Sequence, residues 1–150
     1  MVFDIFLKNK SQPISNAIEI GQDWQEIIPP EPLKSKTSIQ YVSLRMPENV
    51  WRNADWDEAD TSHQTLKYAD GTRGRIEATL FDEKGEAYAL QINAKGGGFD
   101  LGRKLPPRNL NEPPKHIPDF PPDRVYTKLK IRSDVTLRLD KIEWTGYNPK

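Results

Sequence analysis

The chain has 150 residues, 35% hydrophobic and 29% charged, with 22 basic and 22 acidic side chains and no cysteine. That length suits a single domain, 1–150. The balanced charge provides no general field to gather nucleic acid or an anionic membrane, and the lack of thiols excludes disulfide frameworks, thiolate metal sites and cysteine nucleophiles.

The first segment, Val2–Lys8, is apolar on both faces and reads as a strand. It is too short, and too interrupted by Asp4, to be the core of a signal peptide. No uncharged run approaches the roughly 18 residues that span a bilayer. A leader or anchor upstream of Met1 would place the domain at the envelope or outside the cell, and otherwise the compartment is the cytoplasm.

Ala17–Ile20 is a short strand signal leading into Gly21–Ile28, a helical turn or a strand, which Pro29, Pro30 and Pro32 end. Thr37–Met46 alternates, with Val42, Leu44 and Met46 on one side. The clearest hairpin pairs Arg75–Asp82 with Glu86–Ala94 through Glu83-Lys-Gly85, whose glycine such a turn needs. No segment sustains a 3.6-residue period, and 13 prolines disfavour long helices. The pattern predicts an all-β, antiparallel, jelly-roll-like β-sandwich with little helix.

Two stretches depart from the ladder and are expected as long loop excursions, 47–74 and 96–123. The second opens on three glycines and carries seven prolines between Pro106 and Pro122. Its glycine run resembles a phosphate loop in spacing. Arg103-Lys104 stands where Lys-Ser/Thr would be, however, and prolines follow where a helix should begin, so a strand-to-loop connection is the expectation.

At the C-terminal end, Arg124–Ser133 and Leu137–Trp144 alternate as two strands around a turn at Ser133-Asp134. Leu137 and Leu139 differ in parity from Ile142 and Trp144, which predicts a bulge or bend at Asp140-Lys141. Leu129-Lys-Ile-Arg-Ser-Asp134 with Leu137-Arg-Leu-Asp-Lys-Ile-Glu-Trp144 resembles the closing strands of galactose-binding-like jelly rolls. That resemblance implies closing strands that return to pair near the first strand. It carries no ligand residue, because the sites of that superfamily lie in variable loops.

Two constellations are candidate binding sites. Trp51, Arg52, Trp56, His63 and Tyr68 share the first long loop. Aromatic planes beside polar forks are how proteins stack on pyranose rings and bind their hydroxyls. The competing reading has Trp51 and Trp56 capping the end of the sandwich. The second constellation is a basic strip, Tyr126, Lys128, Lys130 and Arg132, projecting from one face of a strand toward an anionic ligand or balanced by neighbouring acids.

The acidic run Asp55, Asp57 and Asp60 does not satisfy the EF-hand spacing and leaves open only an irregular calcium site. No other cofactor is indicated. His63 and His116 lie far apart without a metal pattern, and Asp60-Thr-Ser-His63 cannot form a relay between sequence neighbours. A hydrolase would need two convergent carboxylates, and nothing in the sequence selects a pair. The expected function is a non-catalytic module that recognises glycans through loop aromatics. The alternative is a protein–protein interaction domain using the proline-rich arm or an exposed sheet edge; no nucleic-acid partner is expected.

Overall fold

The computed structural model describes residues 11–47, 54–56, 64–68, 71–95, 98–104, 111 and 120–148, with the backbone alone described at 54–56, 68, 94 and 95. The predicted strand Val2–Lys8 lies outside them. The described chain is all-β and antiparallel, a jelly-roll-like sandwich whose main sheet wraps almost into a barrel. Among the described residues no helix is long and apolar enough to cross a membrane.

In chain order the strands are β1 (Gln12–Ser15), β2 (Ile18–Ile20), β3 (Gln25–Ile27), β4 (Leu33–Lys34), β5 (Ile39–Arg45), β6 (Ala54–Trp56) and β7 (Thr65–Tyr68). They continue with β8 (Arg73–Asp82), β9 (Ala87–Lys95), β10 (Gly98–Arg103), β11 (Val125–Ser133), β12 (Leu137–Leu139) and β13 (Lys141–Tyr147). The main sheet runs β1-β13-β5-β10-β9-β8-β11-β3, with β4 also on β11 and the β6–β7 pair on β8. β12 and β2 form a separate ribbon.

Gly21–Ile28, left open between helix and strand, yields β3. The β8–β9 hairpin follows the alternation, with Ile76, Ala78 and Leu80 buried and Glu77, Thr79 and Phe81 facing outward. Its turn is capped by Asp82, whose Oδ1 accepts the N–H groups of Lys84 and Glu86, both at 2.9 Å. Gly85 turns at φ 84°, a left-handed conformation that a Cβ disfavours.

The bend at Asp140 is present. Leu137, Leu139, Ile142 and Trp144 are all buried despite their opposite parities, because β12 and β13 are offset at Asp140. The same offset occurs across the partner strands. β12 pairs with β2 (Leu139↔Ile18) and β13 with β1 (Trp144↔Gln12), so the last strands lie against the first described ones.

The open edges of the wrapped sheet are then stitched by side chains. Gln12 Nε2 donates to Pro32 O at 3.1 Å while its Oε1 accepts the Lys34 N–H at 3.0 Å. Gln25 Nε2 donates to Glu19 O at 2.8 Å, and Trp144 Nε1 to Lys34 O at 2.8 Å. A side-chain amide carries the same donor and acceptor as a peptide unit, so it can continue a ladder where the backbones stand too far apart.

The 96–123 region departs from the expectation of a loop. Gly98–Arg103 is β10, a central strand paired with β5 (Phe99↔Leu44) and β9 (Leu101↔Ile92). Phe99 and Leu101 are buried. Glycines have low strand propensity, which hides this strand in the sequence. At Gly98 a Cβ would collide with the Leu44 carbonyl oxygen, so close backbone approach requires glycine there. The 47–74 region likewise contains the β6–β7 pair.

The core is closed by an aromatic cluster. The Trp144 ring lies 5.0 Å from Phe120 and 5.6 Å from Tyr126, and Tyr126 lies 5.4 Å from Tyr88. Phe120 brings the end of the proline-rich stretch into this cluster, where Ser35 Oγ donates to its carbonyl at 3.0 Å and Tyr126 OH donates to Pro121 O at 2.9 Å. Of the rest of that stretch, residue 111 is described.

Candidate functional site

The loop constellation is only partly described. Trp51, Arg52 and His63 lie outside the described residues, as do Asp57 and Asp60 of the calcium reading. Trp56 and Asp55 belong to β6 and Tyr68 to β7, in the register Trp56↔Leu66, Asp55↔Lys67 and Ala54↔Tyr68. Among the described residues no group of three His, Asp or Glu side chains is placed to hold a metal ion.

The basic strip is described in full, and one member leaves it. The register of β11 against β8 shifts between Tyr126 and Lys128. The extra residue, Thr127, reverses the side-chain parity. Tyr126 is therefore fully buried in the aromatic cluster, while Lys128, Lys130 and Arg132 face outward opposite Leu129 and Ile131. A strict two-residue alternation places Tyr126 with the cations, and a bulge cannot be read from side-chain types alone.

The residue that takes its place is Trp24, which immediately precedes β3 and is 41% exposed. Antiparallel pairing of β11 with β3 sets Lys130 opposite Glu26 and Ile131 opposite Gln25, and Trp24 falls next along this edge. The Arg132 guanidinium carbon lies 4.5 Å from the Trp24 ring centre and Lys130 Nζ 5.8 Å from it. Lys128 Nζ lies 4.8 Å from the Phe81 ring. Each contact is a cation over the negative face of a ring.

Carboxylates flank the cations on both sides. Arg132 Nη2 donates to Glu77 Oε1 at 2.9 Å, while Glu26 Oε1 sits 3.6 Å from Lys128 Nζ and 4.0 Å from Lys130 Nζ. These exposed pairs add little to stability. They hold long side chains in a row along one strand. An apolar recess of about 180 Å³ is lined by Ile28, Pro29, Pro32 and Thr127, where the β11 bulge meets the connection between β3 and β4, which pair one after the other along the same edge of β11. Ile28 is 67% exposed.

Other polar clusters lie elsewhere among the described residues. On the outer side of β5, β10 and β13, Ser43 Oγ donates to Asp100 Oδ1 at 2.9 Å, and Glu143 Oε1 lies 3.1 Å from Lys141 Nζ and 3.8 Å from Arg45 Nε. Burial raises the Asp100 carboxyl above its usual range, against the opposing effects of Ser43 and Arg45.

At the end of the β8–β9 hairpin, the buried Asp82 accepts from Tyr88 OH at 2.9 Å and from Arg124 Nη1 at 3.0 Å, and Arg124 also pairs with Glu86. Burial opposes ionisation of Asp82. Its hydrogen bonds from Tyr88, the Glu86 backbone, Arg124 and the Lys84 backbone outweigh that and hold the carboxyl at about 2. The cluster ties a turn to β11 and the core.

Compared with protein-family models, with curated proteins and with solved structures, the chain matches none.

Proposed function

We propose that this chain is a non-catalytic binding module that recognises glycans through the outer face of β3, β8 and β11. The observation that carries the reading is Trp24, an exposed indole in contact with Arg132 and Lys130, cations that pair in turn with Glu77 and Glu26. An indole offers a flat apolar surface to the C–H face of a pyranose ring. The guanidinium and carboxylates offer the directed donors and acceptors that sugar hydroxyls require. All these groups stand on or beside paired strands, so the surface is organised before a ligand arrives. The likeness of the closing strands to galactose-binding-like jelly rolls supports the same class of function by analogy alone.

The test is a tryptophan-fluorescence and calorimetric titration with soluble oligosaccharides of varied composition. Binding that Trp24→Ala abolishes, and that Tyr147→Ala at the exposed end of β13 leaves unchanged, supports the proposal. Binding lost in Trp51→Ala but kept in Trp24→Ala moves the site to the 47–74 region. Failure of every saccharide to bind overturns the reading.

A protein partner is the second reading, favoured by Ile28 standing exposed beside its apolar recess. Loss of a defined partner in Ile28→Glu, with Trp24→Ala still binding it, places the function there.

A further inference from the structure

We infer that the ligand of this face is an acidic polysaccharide, one that carries carboxylates and hydroxyls on the same rings. The inference rests on the glycan reading above and names the class of sugar. Lys128, Lys130 and Arg132 project from alternate positions of β11 and so recur at roughly 6.6 Å along a straight line. A row of cations along one strand suits a linear polyanion better than a single compact anion.

The carboxylates on the same face decide which polyanion. Glu77 and Glu26 lie within 4.0 Å of the cations from opposite sides. Any polyanion that meets the cations also meets the two glutamates, and a phosphodiester backbone or an acidic peptide side chain brings no hydroxyl donor of its own to offset that repulsion. A uronic-acid chain satisfies the whole set. Its carboxylates reach the lysines and Arg132, and its ring hydroxyls donate to Glu26 and Glu77. One pyranose face stacks on Trp24. The arginine suits this role because its fork can stack on the indole and still present N–H groups to a carboxylate.

The whole chain is titrated with oligogalacturonate, with the fully methyl-esterified form of the same oligomer, with a single-stranded oligonucleotide and with poly-glutamate. Oligogalacturonate is expected to bind roughly tenfold or more tighter than its ester, which is one charge-assisted hydrogen bond's worth. The advantage should shrink as salt screens the cations. Lys130→Gln and Arg132→Gln are each expected to reduce the acid-over-ester ratio, and Lys141→Gln on β13, outside this row, to leave it unchanged.

Equal binding of acid and ester overturns the inference and leaves the glycan reading standing. Tighter binding of the oligonucleotide or poly-glutamate overturns it in favour of that polymer. Failure of both oligosaccharides overturns this inference, and the broader reading falls only if neutral oligosaccharides also fail.

Discussion

Gln12 accepts the backbone N–H of Lys34 at 3.0 Å and donates to Pro32 O at 3.1 Å, placing a side-chain amide where a neighbouring strand's peptide would be. The arrangement closes the wrapped sheet between β1 and β4. Replacing Gln12 by Ala removes both bonds at an exposed seam, for an expected loss of about 1–2 kcal/mol. Urea unfolding measures the loss, and amide exchange at Lys34 should accelerate. Unchanged exchange at Lys34 would show that the seam does not depend on Gln12.

Trp144 serves the same seam from inside, being 1% exposed and donating to Lys34 O. Trp144→Ala leaves a cavity in the aromatic cluster and an acceptor without its donor, for an expected cost of ~3–5 kcal/mol. Trp144→Phe keeps most of the ring contacts and should cost about 1–3 kcal/mol. Equal costs for the two variants would contradict the packing role.

Gly98→Ala forces a methyl group against the Leu44 carbonyl in the middle of the sheet. The strain should cost about 1–3 kcal/mol. Gly21→Ala, where nothing lies within 4 Å, is the matched control and should change stability little. A thermal or denaturant midpoint that falls equally in both would refute the close-approach argument.

Asp82 gives the fold an acid-sensitive element. Its folded carboxyl titrates at about 2 against an ordinary value of 3.8. A depressed folded value means stability that is present above the unfolded value and is lost as pH falls from about 4 through about 2. Asp82→Asn should therefore be less stable near neutral pH and should flatten this part of the stability–pH curve. Parallel curves for the two proteins over that window would contradict the assignment.

Trp24 should behave in the opposite way to Trp144. It lies on the surface, so Trp24→Ala should cost about 0.5–1 kcal/mol through its cation contacts while removing ligand binding. A large loss of stability would recast Trp24 as a structural residue.

The sequence alone was enough for the fold class and for much of the ladder. Ile76, Ala78 and Leu80 announce β8 because neighbouring positions on one strand alternate faces wherever one face is buried. Leu137, Leu139, Ile142 and Trp144 announce the bend at Asp140 by the same rule. The candidate site was half legible. Lys128, Lys130 and Arg132 are recognisable as an outward row, but strict alternation puts Tyr126 with them, and no local pattern ties Trp24 to that row.

What the tertiary structure decided is which segments meet. β10 enters the sheet with Gly98 against the Leu44 carbonyl; the glycine permits that approach, but which strand stands there to be approached is not written in the glycine-rich stretch. Tyr126 turns inward because an extra residue is accommodated opposite β8. Trp24 reaches Arg132 because β3 pairs with β11 in one register. Alternation is a local consequence of backbone geometry and can be read from adjacent residues. The choice of partner depends on contacts between residues far apart in the chain, and on this face those contacts assemble the indole, the cations and the carboxylates.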